Sequence, residues 1–332
     1  MAKKIQETPT NLTREELSNL SRVTTDVFFF SLFCYVIHPV RGKVRFELYP
    51  YQKAVLYQFI LQRFNILLKF RQAGITELIS MYCLWLASYH PNKKINIISI
   101  KDTTAKKVLK KIKFMYKNLP WYMQTPIING RTGEFGSASM IEFDNGSFIE
   151  SIPTSSEAGR SESLSLLVID EAAIVRWASA IWAAAFPTLS TGGSAIINST
   201  PYGMGNFYHS TWVDAIAGGN PFNAIRLYWQ MHPERDQSWY DQMASALGPK
   251  RTAQEIDGDF LSSGNTVFDL ADIKAIEDCL SDYPVIKKRF NGQYRQFLEA
   301  TPDKEYFIGA DVSTGRSSDY SAFTCMDKQG DR

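Results

Sequence analysis

Short, largely apolar segments alternate with longer segments of helical pattern through the middle of this 332-residue chain. Four of these segments have the length of a strand, namely 66–70, 96–100, 166–169 and 194–198. A strand that is apolar at successive positions is buried on both faces, as in parallel sheets covered by helices. The sequence therefore predicts an α/β fold with a mostly parallel sheet and helices on both of its faces.

Composition restricts the class of protein further. A hydrophobic fraction of 45% with 21% charged residues is typical of a globular protein, and the net charge of +2 argues against a uniformly basic surface. The four cysteines form no CxxC pair, so neither a structural zinc site nor a redox pair is indicated. The longest apolar run, Val27–Ile37, is too short to span a bilayer, so no membrane segment is expected.

Local patterns add detail to the predicted elements. Thr13 and Glu16 have the spacing of a capping box, which predicts a helix from about Arg14. Helices are predicted over 76–88 and 101–118. The dipeptide Asn145-Gly146, in 140–149, is typical of a tight hairpin turn.

The loop after the first strand, 69–76, is similar to the phosphate-binding pattern GxxxxGK[ST]. Gly74 and Thr76 occupy matching positions, but Lys69 stands at the first glycine and Ile75 at the usual lysine. Backbone N–H groups at a helix start would hold phosphate, and the Thr76 hydroxyl would hold Mg²⁺. Taken alone, this loop is explained about equally well as an ordinary strand–turn–helix with lysine and arginine on its surface.

The third apolar strand ends in two carboxylates, Asp170 and Glu171. Asp170 at the strand end would hold the magnesium shell, and Glu171 would orient the water that attacks the γ-phosphate. The alternative is a solvated acidic turn after an apolar strand.

Two weaker signals flank these motifs. Ser199, Thr200 and Pro201 end the fourth strand, where hydroxyl groups can sense a γ-phosphate, although they also suit a plain turn. Upstream, Tyr51 and Gln52 offer an aromatic face and an amide that suit adenine.

In this order, the motifs resemble those of the large terminase subunits of tailed double-stranded DNA bacteriophages. LYPYQ looks like the adenine motif of that family, KFRQAGIT like its deviant phosphate loop, LLVIDEA like its Walker B motif, and STP like its coupling motif. The resemblance covers roughly residues 45–330. It implies a P-loop NTPase of the ASCE (RecA-like) class, followed by the first strands of an RNase H-like α/β nuclease domain.

The resemblance also implies roles and boundaries. The expected domains are an N-terminal helical or flexible segment (1–44), the ATPase domain (45–270), a helical linker (271–303) and a truncated start of the nuclease domain (304–332). The expected catalytic residues are Glu171, Arg160 and Arg71, with Arg160 acting on a neighbouring subunit's ATP and Arg71 as a phosphate cation or an arginine finger in cis. The expected ATP-binding residues are Tyr51, Gln52, Lys69, Arg71, Gln72, Ala73, Gly74, Ile75 and Thr76.

The nuclease expectation depends on the strand 307–311 and the turn after it. Asp311 is the natural first ligand of a two-metal site, and Asp319 is a weaker candidate that could instead cap the turn. In terminases further carboxylates come from later strands, which this sequence lacks. We therefore expect these residues not to cut DNA by themselves, although a full-length protein would use Mg²⁺ or Mn²⁺ to do so.

Membership of the family would imply the partners and the location. ATP hydrolysis with Mg²⁺ would drive viral double-stranded DNA into a procapsid, together with portal protein and small terminase subunit. A homo-oligomeric ring, such as a pentamer, would form at the procapsid vertex in the host cytoplasm, absent from the mature virion, while isolated subunits could be monomers. The alternatives are a superfamily-2 helicase or translocase, which shares several of these motifs, and a degenerate ATP-binding structural protein, which the missing loop lysine would suit.

Overall fold

The structure is a computed structural model that describes residues 11–128, 135, 137–155, 163–260, 286–289, 294–296, 299–312 and 322–327. The chain divides into two compact units, Met1–Asn265 and Thr266–Arg332. The strands of the first unit are β1 (Tyr35–His38), β2 (Gly42–Arg45), β3 (Phe64–Leu68), β4 (Lys94–Ile98), β5 (Met140–Glu142), β6 (Phe148–Ser151), β7 (Leu166–Asp170), β8 (Ser194–Ser199) and β9 (Asn223–Arg226).

The helices of the first unit lie between these strands and after them. They are α1 (Arg14–Thr25), α2 (Val27–Ser31), α3 (Pro50–Leu61), α4 (Ile75–Tyr89), α5 (Asp102–Asn118), α6 (Ala178–Ala185), α7 (Phe207–Ile216), α8 (Gln237–Leu247) and α9 (Pro249–Thr252), which continues into a π-helical turn, Ala253–Asp257. The helices predicted over 76–88 and 101–118 correspond to α4 and α5, and the capping box of Thr13 and Glu16 starts α1 as predicted.

Seven strands form one sheet in the order β5-β6-β4-β7-β8-β3-β9. Every neighbouring pair in it is parallel except β5 and β6, which form the hairpin predicted around Asn145-Gly146. This arrangement confirms the predicted α/β class with a mostly parallel sheet. Ligands of such sheets bind beyond the carboxyl ends of the strands, and the ends of β3, β7 and β8 are adjacent here.

Both faces of the sheet are covered. On one face Val168 and Ile196 pack with α4 and α5, and on the other Ile169 and Ile197 pack with α6 and α7. Alternation along β7 and β8 places Asp170 and Asn198 on the α4 side, opposite each other in register. The first turn of α4 therefore lies near the polar ends of these two strands.

The N-terminal helices belong to the same core as α4. The side chain of Phe30 is fully buried, and the Trp85 indole N–H donates to the Val23 carbonyl at 2.7 Å. The sequence predicted helix here but not the hairpin of β1 and β2. It also did not predict β9, whose short Asn-Ala-Ile-Arg segment is only half buried.

The second unit contains two antiparallel strand pairs in its described parts. They are β10 (Lys287–Arg289) with β11 (Tyr294–Gln296), and β12 (Tyr306–Asp311) with β13 (Ala322–Asp327). The helical expectation for 271–303 is wrong where the structure describes that segment. Asn291-Gly292, between β10 and β11, is a strong hairpin signal in the sequence that explains the difference.

Within the described residues of both units, no helix is at once long enough and apolar enough to cross a bilayer.

Candidate nucleotide-binding site

The loop between β3 and α4 wraps one side of a cavity of about 270 Å³. Residues 69–77 line this cavity, apart from Phe70, together with Glu171, Thr200 and Glu255. Gln72 and Gly74 have φ angles of 61° and 69°, in the left-handed region. Left-handed backbone in a non-glycine residue is strained and is concentrated at functional sites. The loop therefore has the local geometry of an anion-binding turn at a helix start.

Ile75, at the position of the usual lysine, has its side chain buried in the core, 1% exposed. Only its backbone is available to the cavity, so a cation must come from elsewhere in the loop. Lys69 supplies one: its ammonium lies 2.8 Å from Glu171 Oε1, and the lysine is 6% exposed. The structure thus brings the lysine at the beginning of the loop to the carboxylate after β7.

Gly74 is required at its position for two reasons. Its φ is 69°, and a Cβ there would lie 2.5 Å from the Gln52 side-chain nitrogen. We expect Gly74→Ala to destabilise the protein by about 1–3 kcal/mol, since it combines a left-handed backbone with a steric clash, and to abolish nucleotide binding. Thermal unfolding and titration with a fluorescent ATP analogue measure the two effects.

Gly42 provides the matched control, because its φ is also 69° and no atom lies within 4 Å of a Cβ built there. Gly42→Ala carries the backbone cost alone and should leave nucleotide binding intact. Equal loss of binding in both variants would contradict a specific requirement at Gly74.

The two carboxylates at the end of β7, Asp170 and Glu171, have different environments. Asp170 is 5% exposed, and burial raises the pKa of its carboxyl to about 6, opposed by the nearby Lys69 cation. The Thr76 hydroxyl donates to Asp170 Oδ1 at 3.5 Å. Glu171 adopts a left-handed conformation, φ 57°, and lies at the cavity wall. A hydroxyl and a carboxylate that already approach each other form a pair of oxygen ligands of the kind Mg²⁺ prefers.

Asn198, which the sequence analysis did not single out, lies beside Asp170. Its side chain is fully buried and close enough to lower the pKa of Asp170, yet neither amide atom makes a hydrogen bond of normal geometry with any described residue. Buried amides without protein partners are rare, and a bound water or ion is a common reason for them. The pair Thr76 and Asp170, with Asn198 next to it, therefore fits a hydrated magnesium ion.

The predicted coupling residues connect the loop after β3 with the segment after β7. The Ser199 hydroxyl accepts a hydrogen bond from the Ala173 N–H at 3.2 Å, and its carbonyl accepts one from the Lys69 N–H at 3.1 Å. Thr200 is buried in the cavity wall, and Pro201 follows it directly. The end of β8 is thus hydrogen-bonded both to the loop 69–76, called the phosphate loop below, and to the segment after Glu171.

The predicted adenine residues contact the back of the phosphate loop. The Tyr51 hydroxyl and the Gln52 amide both donate to the Ala73 carbonyl, at 2.7 and 3.1 Å. Gln52 also accepts the Tyr49 N–H at 3.0 Å. In this structure both side chains brace the loop. The adenine contact itself stays a prediction.

Arg71 is tied to the end of the first unit. Its guanidinium is 3.0 Å from the Glu255 carboxylate, and its N–H donates to the Glu255 carbonyl at 2.6 Å. Its side chain is 69% exposed at the mouth of the cavity, and the Glu255 carboxylate raises the pKa of Arg71. Glu255 lies far along the chain, and the sequence assigned it no role.

The predictions for Arg160, Asp311 and Asp319 concern other segments of the chain. Arg160 and Asp319 lie outside the described residues. Asp311 ends β12 in the second unit, exposed and paired in register with Ala322. Among the described residues, no group of three or more His, Cys, Asp or Glu side chains has the arrangement of a metal site.

The family profile described as "Terminase large subunit, T4likevirus-type, N-terminal" matches residues 66–275, more than half of the chain. The chain belongs to this terminase family. The resemblance read from its motifs is thereby confirmed.

Individual relatives agree with this assignment. The terminase is 29% identical to the large terminase subunit of Thermus phage G20c over 184 residues, which are 51% of this chain and 35% of that protein. The match thus spans about a third of the relative's length.

Two solved structures have the same fold. A variant of the large terminase ATPase domain of Thermus phage P74-26 aligns with a TM-score of 0.50 and 19% identity, over 65% of this terminase and 95% of that chain. The large terminase of a thermophilic bacteriophage, solved in complex with ADP, aligns with a TM-score of 0.53 and 12% identity, over 85% of this terminase and 65% of that chain.

Proposed function

We propose that this chain hydrolyses ATP and is the motor part of a large terminase subunit. The observation that supports the proposal best is the arrangement of Lys69, Thr76, Asp170 and Glu171 around one cavity beside a helix N-terminus. Membership of the terminase family, and the ADP bound to the thermophilic phage protein of the same fold, support a nucleotide as the ligand.

Each side chain has a distinct task in this proposal. Thr76 and Asp170 would hold Mg²⁺, which would offset negative charge on the nucleotide phosphates. Lys69 leaves Glu171 for the phosphates, and the freed Glu171 carboxylate orients the attacking water. Loop N–H groups and the start of α4 hold the phosphate oxygens. Ser199, bonded to both the loop and the segment after Glu171, passes the loss of the γ-phosphate to the sheet.

The test is phosphate release from ATP by the intact chain, with and without Mg²⁺ and double-stranded DNA. Hydrolysis that depends on Mg²⁺ supports the proposal. Nucleotide binding without phosphate release favours the degenerate ATP-binding protein. Strand separation of a forked duplex favours the helicase.

In the full assembly, hydrolysis would drive viral double-stranded DNA into a procapsid. The partners would be the portal protein, the small terminase subunit and further copies of this chain in a ring, probed best by packaging assays in vitro with purified procapsids. The site of action would be the procapsid vertex in the host cytoplasm. These partners follow from the family and not from any contact in the described residues.

Arg160 is proposed to act on the ATP of a neighbouring subunit. We expect Arg160→Ala to bind ATP normally and to lose hydrolysis in assembled rings, with activity restored by mixing in wild-type subunits. The expected loss in turnover is on the order of 10³-fold, as for other arginines that act at the transition state. Normal hydrolysis by assembled Arg160→Ala rings would rule out the role in trans.

The nuclease role is proposed for a longer protein. Asp311, at the end of β12 in the second unit, would be one metal ligand and Asp319 a second. Two-metal cleavage requires a cluster of carboxylates, so we propose that these 332 residues do not cut DNA by themselves.

A further inference from the structure

The outer side of the phosphate loop is bonded by Arg235, which lies outside the motifs identified in the sequence. The Arg235 guanidinium donates to the Arg71 carbonyl at 3.2 Å through Nη1 and to the Gln72 carbonyl at 3.3 Å through Nη2. The next carbonyl, that of Ala73, accepts hydrogen bonds from Tyr51 and Gln52. Three successive carbonyls of the loop are therefore held from outside the cavity.

The position of Arg235 is set by aromatic packing. Its guanidinium lies between two rings, 4.7 Å from the centroid of Phe70 and 4.3 Å from that of Trp239. Trp239 packs on Trp229, with 5.9 Å between the ring centroids. Its backbone N–H donates a hydrogen bond to the Asp236 carboxylate at the start of α8. The arginine fork is thus held in place before any ligand binds, which lowers the entropy lost on forming its hydrogen bonds.

The orientation of these carbonyls determines where the loop N–H groups point. A trans peptide is planar, so its C=O and the following N–H point in opposite directions. Holding the carbonyls of Arg71, Gln72 and Ala73 outward turns the N–H groups of Gln72, Ala73 and Gly74 to the other side, where these residues line the cavity. Successive N–H groups with a common direction form an anion-binding concavity.

This geometry has to be enforced, because Gln72 is left-handed with a φ of 61°. Such a residue keeps its conformation only where its surroundings over-determine it. Hydrogen bonds from a charged donor are stronger than neutral ones and supply that constraint.

We propose that Arg235 is a positioning residue for the nucleotide phosphates, which fixes the loop N–H groups toward the cavity by holding the Arg71 and Gln72 carbonyls from outside. The inference rests on the proposed ATPase function, since it concerns the same cavity. It also gives a chemical role to the segment after β9, in which the sequence patterns placed no site residue.

The test compares Arg235→Met, Arg235→Lys and a matched control, Arg63→Met, in the intact chain. Methionine keeps the apolar contact with the two rings and removes the donors. Arg63 has the same kind of environment at the other end of β3: it lies 4.8 Å from the Phe64 ring centroid and donates to the carbonyls of Gly193, at 2.7 Å, and Leu189. The measurements are inhibition by pyrophosphate, KM and kcat for ATP, and thermal unfolding.

For Arg235→Met we expect KM for ATP and the inhibition constant of pyrophosphate to rise together by about tenfold or more, with a smaller change in kcat. Arg235→Lys should recover part of this loss, because it keeps the charge but not the fork. Arg63→Met should lower the unfolding temperature without changing either constant. Pyrophosphate lacks a base, so its weaker binding identifies the phosphate cradle and not an adenine contact.

Unchanged pyrophosphate inhibition in Arg235→Met would overturn the inference, and so would an equal loss in Arg63→Met. The outcome is separable from that of the proposed function. If the wild-type chain binds pyrophosphate but releases no phosphate from ATP, the ATPase proposal fails, while direct pyrophosphate binding by the variants still decides the role of Arg235.

Discussion

Glutamine at position 171 is expected to lower ATP turnover by about 10²–10⁴-fold while ATP still binds, because removal of a general base or water-positioning carboxylate has an effect of this size. Glutamine keeps the length of the side chain and leaves the left-handed backbone, φ 57°, unchanged. Glu171→Gln also removes the negative partner of Lys69, which leaves that cation free for the phosphates. Steady-state phosphate release and titration with a fluorescent ATP analogue measure the two effects separately.

Glu150→Gln is the control for this prediction. Glu150 is a half-buried carboxylate on β6, on a strand whose residues do not line the cavity, and burial raises its pKa. Its replacement should leave turnover unchanged. Normal turnover in Glu171→Gln would mean that another group orients the water, and the proposed assignment of Glu171 would then be wrong.

The residues that motifs placed in the site do converge in space. Lys69, Thr76, Asp170 and Glu171 come from two strand ends, and parallel strands bring their carboxyl ends to the same edge of a sheet. The sequence could predict this cluster because each residue lies directly after an apolar strand or in the loop that follows it. It left open whether Lys69 or Arg71 is the main phosphate cation. In the structure Lys69 is buried beside Glu171, whereas the Arg71 side chain is mostly exposed beside Glu255.

The residues that the sequence did not indicate reach the site by long-range contacts. Arg235 and Glu255 bond the phosphate loop across 164 and 184 residues, and neither lies in a strand. Their roles depend on how α8 and the later π-helical turn pack against the loop. Packing of this kind leaves no periodic pattern in the sequence. The sequence did not indicate Asn198 for a different reason. It is a buried polar residue near the end of an apolar strand, directly before the motif that begins at Ser199.

The central strands of the sheet were predictable because they are apolar throughout. β3, β4, β7 and β8 are fully or almost fully buried, and the sequence indicated all four. In contrast, β9 has a half-buried pattern at the sheet edge, so it lacks a continuous apolar run. Edge strands and surface ribbons are determined by pairing more than by their own composition.

Replacing Lys69 by methionine is expected to reduce kcat/KM for ATP by at least about 10²-fold, as the loss of one well-placed charged donor does in other active sites. Methionine preserves most of the side-chain volume in a site where the lysine is 6% exposed. It also leaves the Glu171 carboxylate without its partner at 2.8 Å, so the free energy of unfolding should fall by about 1–3 kcal/mol. Phosphate-release kinetics and chemical denaturation measure the two effects.

The double variant Lys69→Met/Glu171→Gln separates these two consequences. Because it removes both charges, its stability should return toward that of the wild type, whereas its ATP affinity should stay low. Lys113→Met, which removes a half-buried lysine of α5 outside the cavity, should change neither ATP affinity nor turnover.

Arg71, whose side chain is mostly exposed and paired with Glu255, is the other cation that could bind the phosphates. If Arg71→Met weakened ATP binding more than Lys69→Met did, the main phosphate cation would be Arg71, and the ion pair of Lys69 with Glu171 would be structural.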